Sequence, residues 1–155
     1  MKTRTVVAAL ACAVLFVATL AAADVELKGV KCLMNPKAGA KAEQSVEYKE
    51  GKVFFCCGNC LKKFKGDTAK FAGAANSQLV ATKQYKQKAC PLTGGKLNST
   101  TAIKVGAVKV AFCCNNCKGK AEKASGDDQL QLVFSDKAFK KGFEVAKKKA
   151  AKKKE

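Results

Sequence analysis

Two stretches of the chain alternate apolar and polar residues on both sides of a short turn. SVEYKEGKVFF alternates about Glu50 and Gly51, and AIKVGAVKVAF alternates about Gly106 and Ala107. A period of two is typical of a half-buried strand, and glycine favours the turn between two strands. The pattern therefore predicts two β-hairpins. Because an isolated hairpin is not stable in water, each must be held by a further element at its end.

The apolar spacing becomes helical after the first hairpin. Cys60, Leu61 and Phe64 follow one another at the spacing of one helix face, and Gly66 interrupts the pattern. The sequence predicts a short helix up to this break and a second short helix capped by Asp67.

The second half repeats this change of period and then continues further. The pattern predicts a helix over 117–124, a break, and an apolar helical segment over 130–134. Asp136 then has the character of an N-cap, so we predict a last helix that begins there and carries Phe143 and Val145.

The two halves form an internal repeat of four cysteines each. A lone cysteine, Cys32 or Cys90, precedes each hairpin, and a cluster begins after 23 or 22 intervening residues. The same order at nearly the same spacing indicates two equivalent units. The clusters consist of Cys56, Cys57 and Cys60 in the first unit and of Cys113, Cys114 and Cys117 in the second.

The N-terminus has the pattern of an export signal. Lys2 and Arg4 precede an apolar run over 6–20, and three alanines end the run before Asp24. The run of about fifteen residues is shorter than the roughly twenty that a membrane span needs. We therefore predict a periplasmic or secreted protein with no membrane span after signal removal. The alternative is that the run stays in place as a membrane anchor.

The chain is strongly basic, with a net charge of +18. Loss of Lys2 and Arg4 with the signal leaves 18 − 2 = +16. Such a charge attracts polyanions, which predicts an acidic polymer or protein as a partner of the basic surface. Nucleic acid is not expected, because the protein is predicted to be exported and has no recognisable helix motif for reading bases.

The predicted organisation has five parts. They are a signal peptide over 1–23, a first unit over 24–75, a linker over 76–88, a second unit over 89–146 and a lysine-rich tail over 147–155. Because the linker contains apolar side chains, it is open whether the two units share a core.

The cysteines favour a metal site made of thiolates. The chain has no histidine, and thiolates favour Zn²⁺, Cu⁺, cadmium or iron over calcium or magnesium. Cys57 and Cys60 are separated by Gly58 and Asn59, a pair that tolerates the tight turn with which two thiolates reach one ion. Cys56 is harder to assign, because neighbours on a strand face opposite sides.

Two other uses of the thiols are open. Only Cys12 lies within the predicted signal, so eight cysteines remain, an even number that could form disulfides in an oxidising compartment. That alternative is a disulfide-stabilised extracellular interaction module. A third hypothesis makes Cys57 and Cys60 a redox pair, although the strand-helix-strand pattern of a thioredoxin-like domain is missing. An enzyme is not predicted, because no carboxylate pair or nucleophile arrangement is recognisable.

The stretches CLMNPK…GKVFFCCGNCLKKFKGDTAKF and CPLTGG…VKVAFCCNNC resemble the YHS and TRASH family of small cysteine-rich domains. The resemblance covers 31–71 and 89–122 and implies heavy-metal binding without specifying a reaction. The family's first cysteine corresponds to Cys32 and Cys90, and its Cys-x3-Cys pair corresponds to Cys56 with Cys60 and to Cys113 with Cys117.

The chain departs from this family pattern at two places in each unit. Many relatives have a second early cysteine where this chain has Asn35 and Thr93, and many of them have serine where it has Cys57 and Cys114. A thiol is missing at one place and present at another, which leaves four per unit. Our hypothesis is that Cys57 and Cys114 are the replacement fourth ligands.

Together these patterns predict an α+β protein of two tandem zinc-ribbon-like or treble-clef-like units. Each unit is a β-hairpin that ends in a cysteine knuckle and is followed by short helices. The predicted function is binding of about one Zn²⁺ per unit, or of Cu⁺ or another soft heavy metal, in a structural role or in metal trafficking and sequestration. The predicted ligands are Cys32, Cys56, Cys57, Cys60, Cys90, Cys113, Cys114 and Cys117.

Overall fold

The computed structural model describes residues 25–146, so the predicted signal peptide and the lysine-rich tail lie outside the described residues. The first half contains β1 (Lys41–Tyr48), β2 (Gly51–Phe55), α1 (Gly58–Gly66), α2 (Ala72–Ala81) and β3 (Tyr85–Gln87). The second half contains β4 (Asn98–Val105), β5 (Val108–Phe112), α3 (Asn115–Lys123), α4 (Gly126–Phe134), α5 (Asp136–Gly142) and β6 (Phe143–Val145). An α+β class with small antiparallel hairpins is thereby confirmed, whereas the tandem zinc-ribbon-like units stay a prediction.

Both predicted hairpins are present. Val46 on β1 lies opposite Val53 on β2, and Ile103 on β4 lies opposite Val110 on β5. In each hairpin the register shifts within the first strand, and pairing resumes between its first residue and the last strand residue before the cysteine cluster. The second turn uses Gly106 at a positive φ of 59°, as its glycine indicated.

The turn of the first hairpin differs from the predicted turn at Glu50 and Gly51. Its positive φ, 53°, belongs to Lys49, and Gly51 already lies on β2. Gly51 has another role: a Cβ built there would lie 2.6 Å from Oε1 of Gln84 and 2.9 Å from Cδ2 of Leu79. The glycine is needed because the segment after α2 passes directly against this strand.

Two helix predictions need correction. The helix predicted to begin at Asp67 begins at Ala72, and the Asp67 carboxylate instead accepts a hydrogen bond from the backbone N–H of Lys70 at 3.0 Å. The last helix ends at Gly142, so Phe143 and Val145 lie on β6. Phe143 follows Phe139 at a helical spacing, but β3 supplies an antiparallel partner that local periodicity does not reveal.

The segment 76–88 contains the end of α2 and all of β3, and it joins the two halves in one core. Helix α2 packs against α4, and β3 pairs with β6. Leu79 is fully buried, and the ring of Tyr85 lies 4.9 Å from that of Phe139. Equivalent elements of the two halves thus meet each other. The boundaries of the two predicted units stay a prediction.

Glutamine side chains in and after α2 complete the free edges of the hairpins. Each amide accepts a hydrogen bond from the N–H of one strand residue and donates one to its C=O. Gln78 does so with Phe54, Gln84 with Lys52, and Gln87 with Ala111, at distances from 2.7 to 3.0 Å. Because unpaired backbone groups inside a protein are costly, these amides replace a missing third strand.

None of the helices between residues 25 and 146 is both long enough and apolar enough to cross a membrane.

Candidate metal centre

Each cysteine cluster lies at the junction between a buried strand and a helix. Strand β2 ends at Phe55 and β5 at Phe112, both fully buried. The helices that follow have Cys57 and Cys114 as their N-cap residues. The backbone angles of the two residues are nearly identical, with φ −158° and ψ 165° at Cys57 and φ −158° and ψ 169° at Cys114. The repeat in the sequence is therefore also a repeat of local geometry.

This junction brings neighbouring cysteines to the same side. Cys56 follows the last residue of β2, so the strand rule that neighbours face opposite sides no longer applies to Cys56 and Cys57. Their sulfurs lie 3.8 Å apart, and those of Cys113 and Cys114 lie 3.7 Å apart.

The lone cysteines reach the clusters from tight loops. The N–H of Cys32 donates to the carbonyl of Ala38 at 2.9 Å, and the N–H of Cys90 donates to that of Gly95 at 2.9 Å. Both side chains are buried, with exposed fractions of 3% and 0%. Each loop thus holds one thiol on the protein side of its cluster.

The structure assembles three thiols in each half. The three sulfurs of each group all lie within 4.8 Å of one another. Each group consists of the lone cysteine and the first and third cysteines of the cluster. The groups are Cys32, Cys56 and Cys60 in the first half and Cys90, Cys113 and Cys117 in the second.

Cys57 and Cys114 lie outside these groups but at their rims. The Cys57 sulfur is 3.8 Å from that of Cys56 and 3.6 Å from that of Cys60. Two sulfurs bound to one tetrahedral zinc ion at about 2.3 Å are about 3.8 Å apart, whereas a disulfide is about 2.05 Å long. These two distances fit thiols around one ion and are too long for a disulfide, but Cys57 does not lie within 4.8 Å of all three grouped sulfurs.

The sites are open on one side. Cys32, Cys90 and Cys117 are buried, Cys56, Cys60 and Cys113 are partly exposed, and Cys57 and Cys114 are exposed. All eight are free thiols. Each site therefore has at least one buried thiol at its base and one thiol that faces solvent.

Unequal surroundings separate the pKa values within each Cys-x2-Cys pair. The backbone N–H of Cys60, with the neighbouring thiols, lowers the pKa of Cys57, and the corresponding N–H of Cys117 lowers that of Cys114. Desolvation and the neighbouring thiols raise the pKa of Cys60 to about 12 and that of Cys117 to about 12. The exposed thiol at the helix start thus ionises more readily than its partner.

The second site has a hydroxyl group beside its sulfurs. The Thr93 Oγ1 lies 3.3 Å from the Cys113 sulfur. Burial acts to raise the pKa of Cys90, but hydrogen bonds from the Thr93 hydroxyl and the N–H of Cys113 outweigh it, and the pKa falls to about 7. In the first site the equivalent Asn35 side chain accepts a hydrogen bond from the N–H of Lys37 at 3.1 Å instead.

Two residues that hold the segments next to the cysteine clusters in place were not predicted from the sequence. Gln78 bonds to Phe54, and its Nε2 also donates to the carbonyl of Lys31 at 3.0 Å, which ties together the chain before Cys32 and before Cys56. In the second half the hydroxyl of Thr101 contacts both the N–H and the C=O of Phe112, at 3.0 and 2.6 Å. The signal for both is a polar side chain among apolar neighbours, which is visible only once burial is known.

Comparison with family models, with curated proteins and with solved structures finds no match to this chain. The function is therefore inferred from the geometry of the two cysteine clusters.

Proposed function

We propose that the protein binds two soft or borderline metal ions, one at each cysteine cluster. The observation that carries this proposal is the group of three thiols within 4.8 Å of one another, which occurs in both halves. In each half a fourth thiol lies at the rim of the group. A chance meeting of cysteines would not repeat the same loop, strand end and helix start twice.

The donor set favours zinc, with Cu⁺ or another soft heavy metal as the competitor. Every donor in the two groups is sulfur, and thiolates suit zinc and Cu⁺ rather than calcium or magnesium. Three grouped thiols with a fourth at the rim match in number the usual four ligands of zinc. Cys57 and Cys114 supply the fourth ligand in this proposal.

The open side of each site favours a role in holding and passing on metal. A structural zinc site is closed and supplies most of the stability of a small domain. Here Phe55, Phe112 and Phe134 belong to a core shared by both halves, and the fourth thiol of each site faces solvent. We propose metal sequestration or trafficking outside the cytoplasm, which the YHS and TRASH resemblance and the predicted export signal support.

Metal content and thiol count together test the proposal. We expect the exported protein to carry two ions per chain by elemental analysis and to show eight reduced thiols under denaturing conditions. We also expect cobalt-loaded protein to show thiolate-to-cobalt absorption. Intact mass should correspond to cleavage after Ala23. No metal and no titratable thiol without reductant would instead support the disulfide-stabilised interaction module.

The two halves provide matched variants. Cys60→Ser should leave one ion per chain, held in the second half, and Cys117→Ser should leave one ion, held in the first. The double variant should bind none. Retention of two ions by the double variant would contradict the proposed sites.

A further inference from the structure

We propose that Cys57 with Cys60, and Cys114 with Cys117, are reversible dithiol–disulfide pairs that react with small-molecule disulfides and thereby open the metal sites. Disulfide formation itself is independent of the proposed function. Its effect on metal retention rests on that function.

The first argument is the position of each pair on its helix. Cys57 is the exposed N-cap of α1, and Cys60 lies in the first turn with its sulfur 3.6 Å away. Cys114 is the exposed N-cap of α3, and the Cys113 sulfur lies 3.7 Å from that of Cys114 and 3.6 Å from that of Cys117. The exposed sulfur at the helix start is thus the one that a small disulfide reaches from solvent, and in the first half its resolving partner lies next to it.

The second argument is that Cys57 and Cys60 have room to form a disulfide. The sulfurs must approach from 3.6 Å to about 2.05 Å. Gly58 and Asn59, which lie between them, are both exposed. The nearest atom to a Cβ at Gly58 would be the Oε1 of Gln44 at 3.6 Å, so the turn has room to adjust.

The third argument is selectivity among the three cysteines of a cluster. The Cys56 sulfur is also close to Cys60, at 3.7 Å. However, Cys56 is only partly exposed and belongs to the group that includes the buried Cys32. A disulfide between the adjacent Cys56 and Cys57 would be strained. The reaction with a small disulfide therefore begins at the exposed Cys57, and Cys60 resolves the mixed disulfide.

The reaction of the metal-free protein has two steps. The Cys57 thiolate attacks one sulfur of a small disulfide, whose S–S bond breaks, and the released thiolate takes up the Cys57 proton. The Cys60 thiolate then attacks the Cys57 sulfur and releases the second small thiolate, which takes up the Cys60 proton. Two protein thiols are oxidised to one disulfide, and one small disulfide is reduced to two thiols.

Oxidation removes two of the four thiols from the site. Cys32 and Cys56 remain in the first half, and Cys90 and Cys113 remain in the second. Two thiolates are too few for a zinc site, which takes four ligands. An oxidising environment would thus release the ion, and reduction would restore the site.

Peptide mapping of the metal-free, reduced protein tests the pair directly. After reaction with oxidised glutathione, free thiols are blocked with N-ethylmaleimide and the protein is cut at lysine. The peptides VFFCCGNCLK (53–62) and VAFCCNNCK (110–118) each hold the three cysteines of one cluster. We expect one internal disulfide per peptide, with the blocking group on Cys56 and on Cys113.

Other labelling patterns would overturn the proposal. A blocking group on Cys57 or Cys114 would show that a different pair closes, and three blocking groups would show that none does. A mixed disulfide with glutathione that persists would show that Cys60 or Cys117 does not resolve it. Cys57→Ser should abolish the disulfide in peptide 53–62 and leave peptide 110–118 as an internal control.

Zinc retention tests the consequence separately. Zinc-loaded protein treated with oxidised glutathione should release both ions to a chromophoric chelator, and dithiothreitol followed by zinc should restore two. Zinc that stays bound while both disulfides form would refute redox-controlled release. Failure of the reduced protein to bind zinc would contradict the proposed function and leave the peptide result unaffected.

Discussion

The side-chain amide of Gln78 pairs with the backbone of Phe54 as a neighbouring strand would. It accepts a hydrogen bond of 2.7 Å from the Phe54 N–H and donates one of 2.9 Å to the Phe54 carbonyl. A further bond of 3.0 Å reaches the carbonyl of Lys31. One buried side chain therefore connects both chain segments that lead into the first cysteine cluster.

Replacement of Gln78 should destabilise the protein. In Gln78→Ala the backbone groups of Phe54 lose their partner inside the fold, which costs about 2–4 kcal/mol for two such groups. Urea unfolding followed by circular dichroism measures this loss. Gln131→Ala is the control, because Gln131 is exposed and makes one bond of 3.3 Å. Equal stabilities of the two variants would contradict the assigned role.

Phe64 should stabilise the packing of the first half, and the second half has no equivalent aromatic ring. Its ring is buried between those of Tyr48 and Phe55, at centroid distances of 5.5 and 5.4 Å, and Ala121 takes the equivalent place on α3. Phe64→Ala should lower the free energy of unfolding by about 3–5 kcal/mol. Leu132→Ala, at a side chain that is 37% exposed, should change it by less than about 0.5 kcal/mol. Urea unfolding of both variants provides the comparison, and a small effect at Phe64 would contradict it.

Gly51 should not tolerate a side chain. A Cβ there would lie 2.6 Å from Oε1 of Gln84, an atom that already accepts a bond of 2.7 Å from the N–H of Lys52. Gly51→Ala should therefore lose about 1–3 kcal/mol of stability through displacement of Gln84. Gly39→Ala, where nothing lies within 4 Å of the added carbon, is the matched control in thermal unfolding. A Gly51→Ala variant as stable as this control would show that Gln84 moves away without cost.

The ion pair between Lys49 and Asp136 should add a small acid-sensitive term to stability. The Nζ to Oδ1 distance is 2.7 Å, and the bonds from Lys49 and then Asn76 lower the pKa of Asp136 below its ordinary 3.8. Folding therefore favours the carboxylate, so this stabilisation is complete above the ordinary pKa and is lost as the pH falls through the lowered one. The side chain of Asp136 is 64% exposed, which limits the term to less than about 1 kcal/mol.

Unfolding by urea across this acid range measures that term. Asp136→Asn should be slightly less stable than the parent at neutral pH, and the difference should shrink as the pH falls below the lowered pKa. Asp127→Asn, at an exposed position in the first turn of α4, is the control. A difference for Asp136→Asn that stays constant over the whole range would exclude the ion pair as its cause.

Thr93 should strengthen metal binding at the second site only. Its hydroxyl lies beside the Cys113 sulfur at 3.3 Å, and loss of an outer partner of a metal ligand typically weakens binding by 10-fold or more, so we expect about tenfold. In the Cys60→Ser background, where the second site is the remaining one, Thr93→Val should show this loss in competition with a chelator. Thr93→Ser keeps the hydroxyl and should restore the affinity; equal affinities of the Val and Ser variants would refute the role.

Local patterns were sufficient to predict the hairpins. Alternation about Gly106 reflects a contact between residues that are neighbours in the chain, so it is encoded within a few residues. The helix starts after the clusters are also local, because Cys57 and Cys114 adopt the same N-cap geometry in two similar sequences. The choice of Cys56 as the partner of Cys32 and Cys60 was implied by the family resemblance, whereas the turn geometry favoured Cys57.

Long-range pairing could not be predicted in this way. The spacing of Phe139 and Phe143 fits a helix, yet Phe143 lies on β6 because β3 is available as a partner. A strand of three residues has too few positions for a period of two to be recognised. In the same manner, Asp67 has the chemistry of an N-cap but closes a turn, and α2 begins at Ala72, where it packs against α4.

The sequence by itself determined the repeat, the hairpins and the number and type of sulfur donors in each half. Only the tertiary structure decided which thiols are buried, which face solvent, and that Gln78, Gln84 and Gln87 complete the strand edges. The physical reason is that composition and spacing record contacts along the chain. Burial and the satisfaction of backbone hydrogen bonds depend on what the rest of the chain brings alongside.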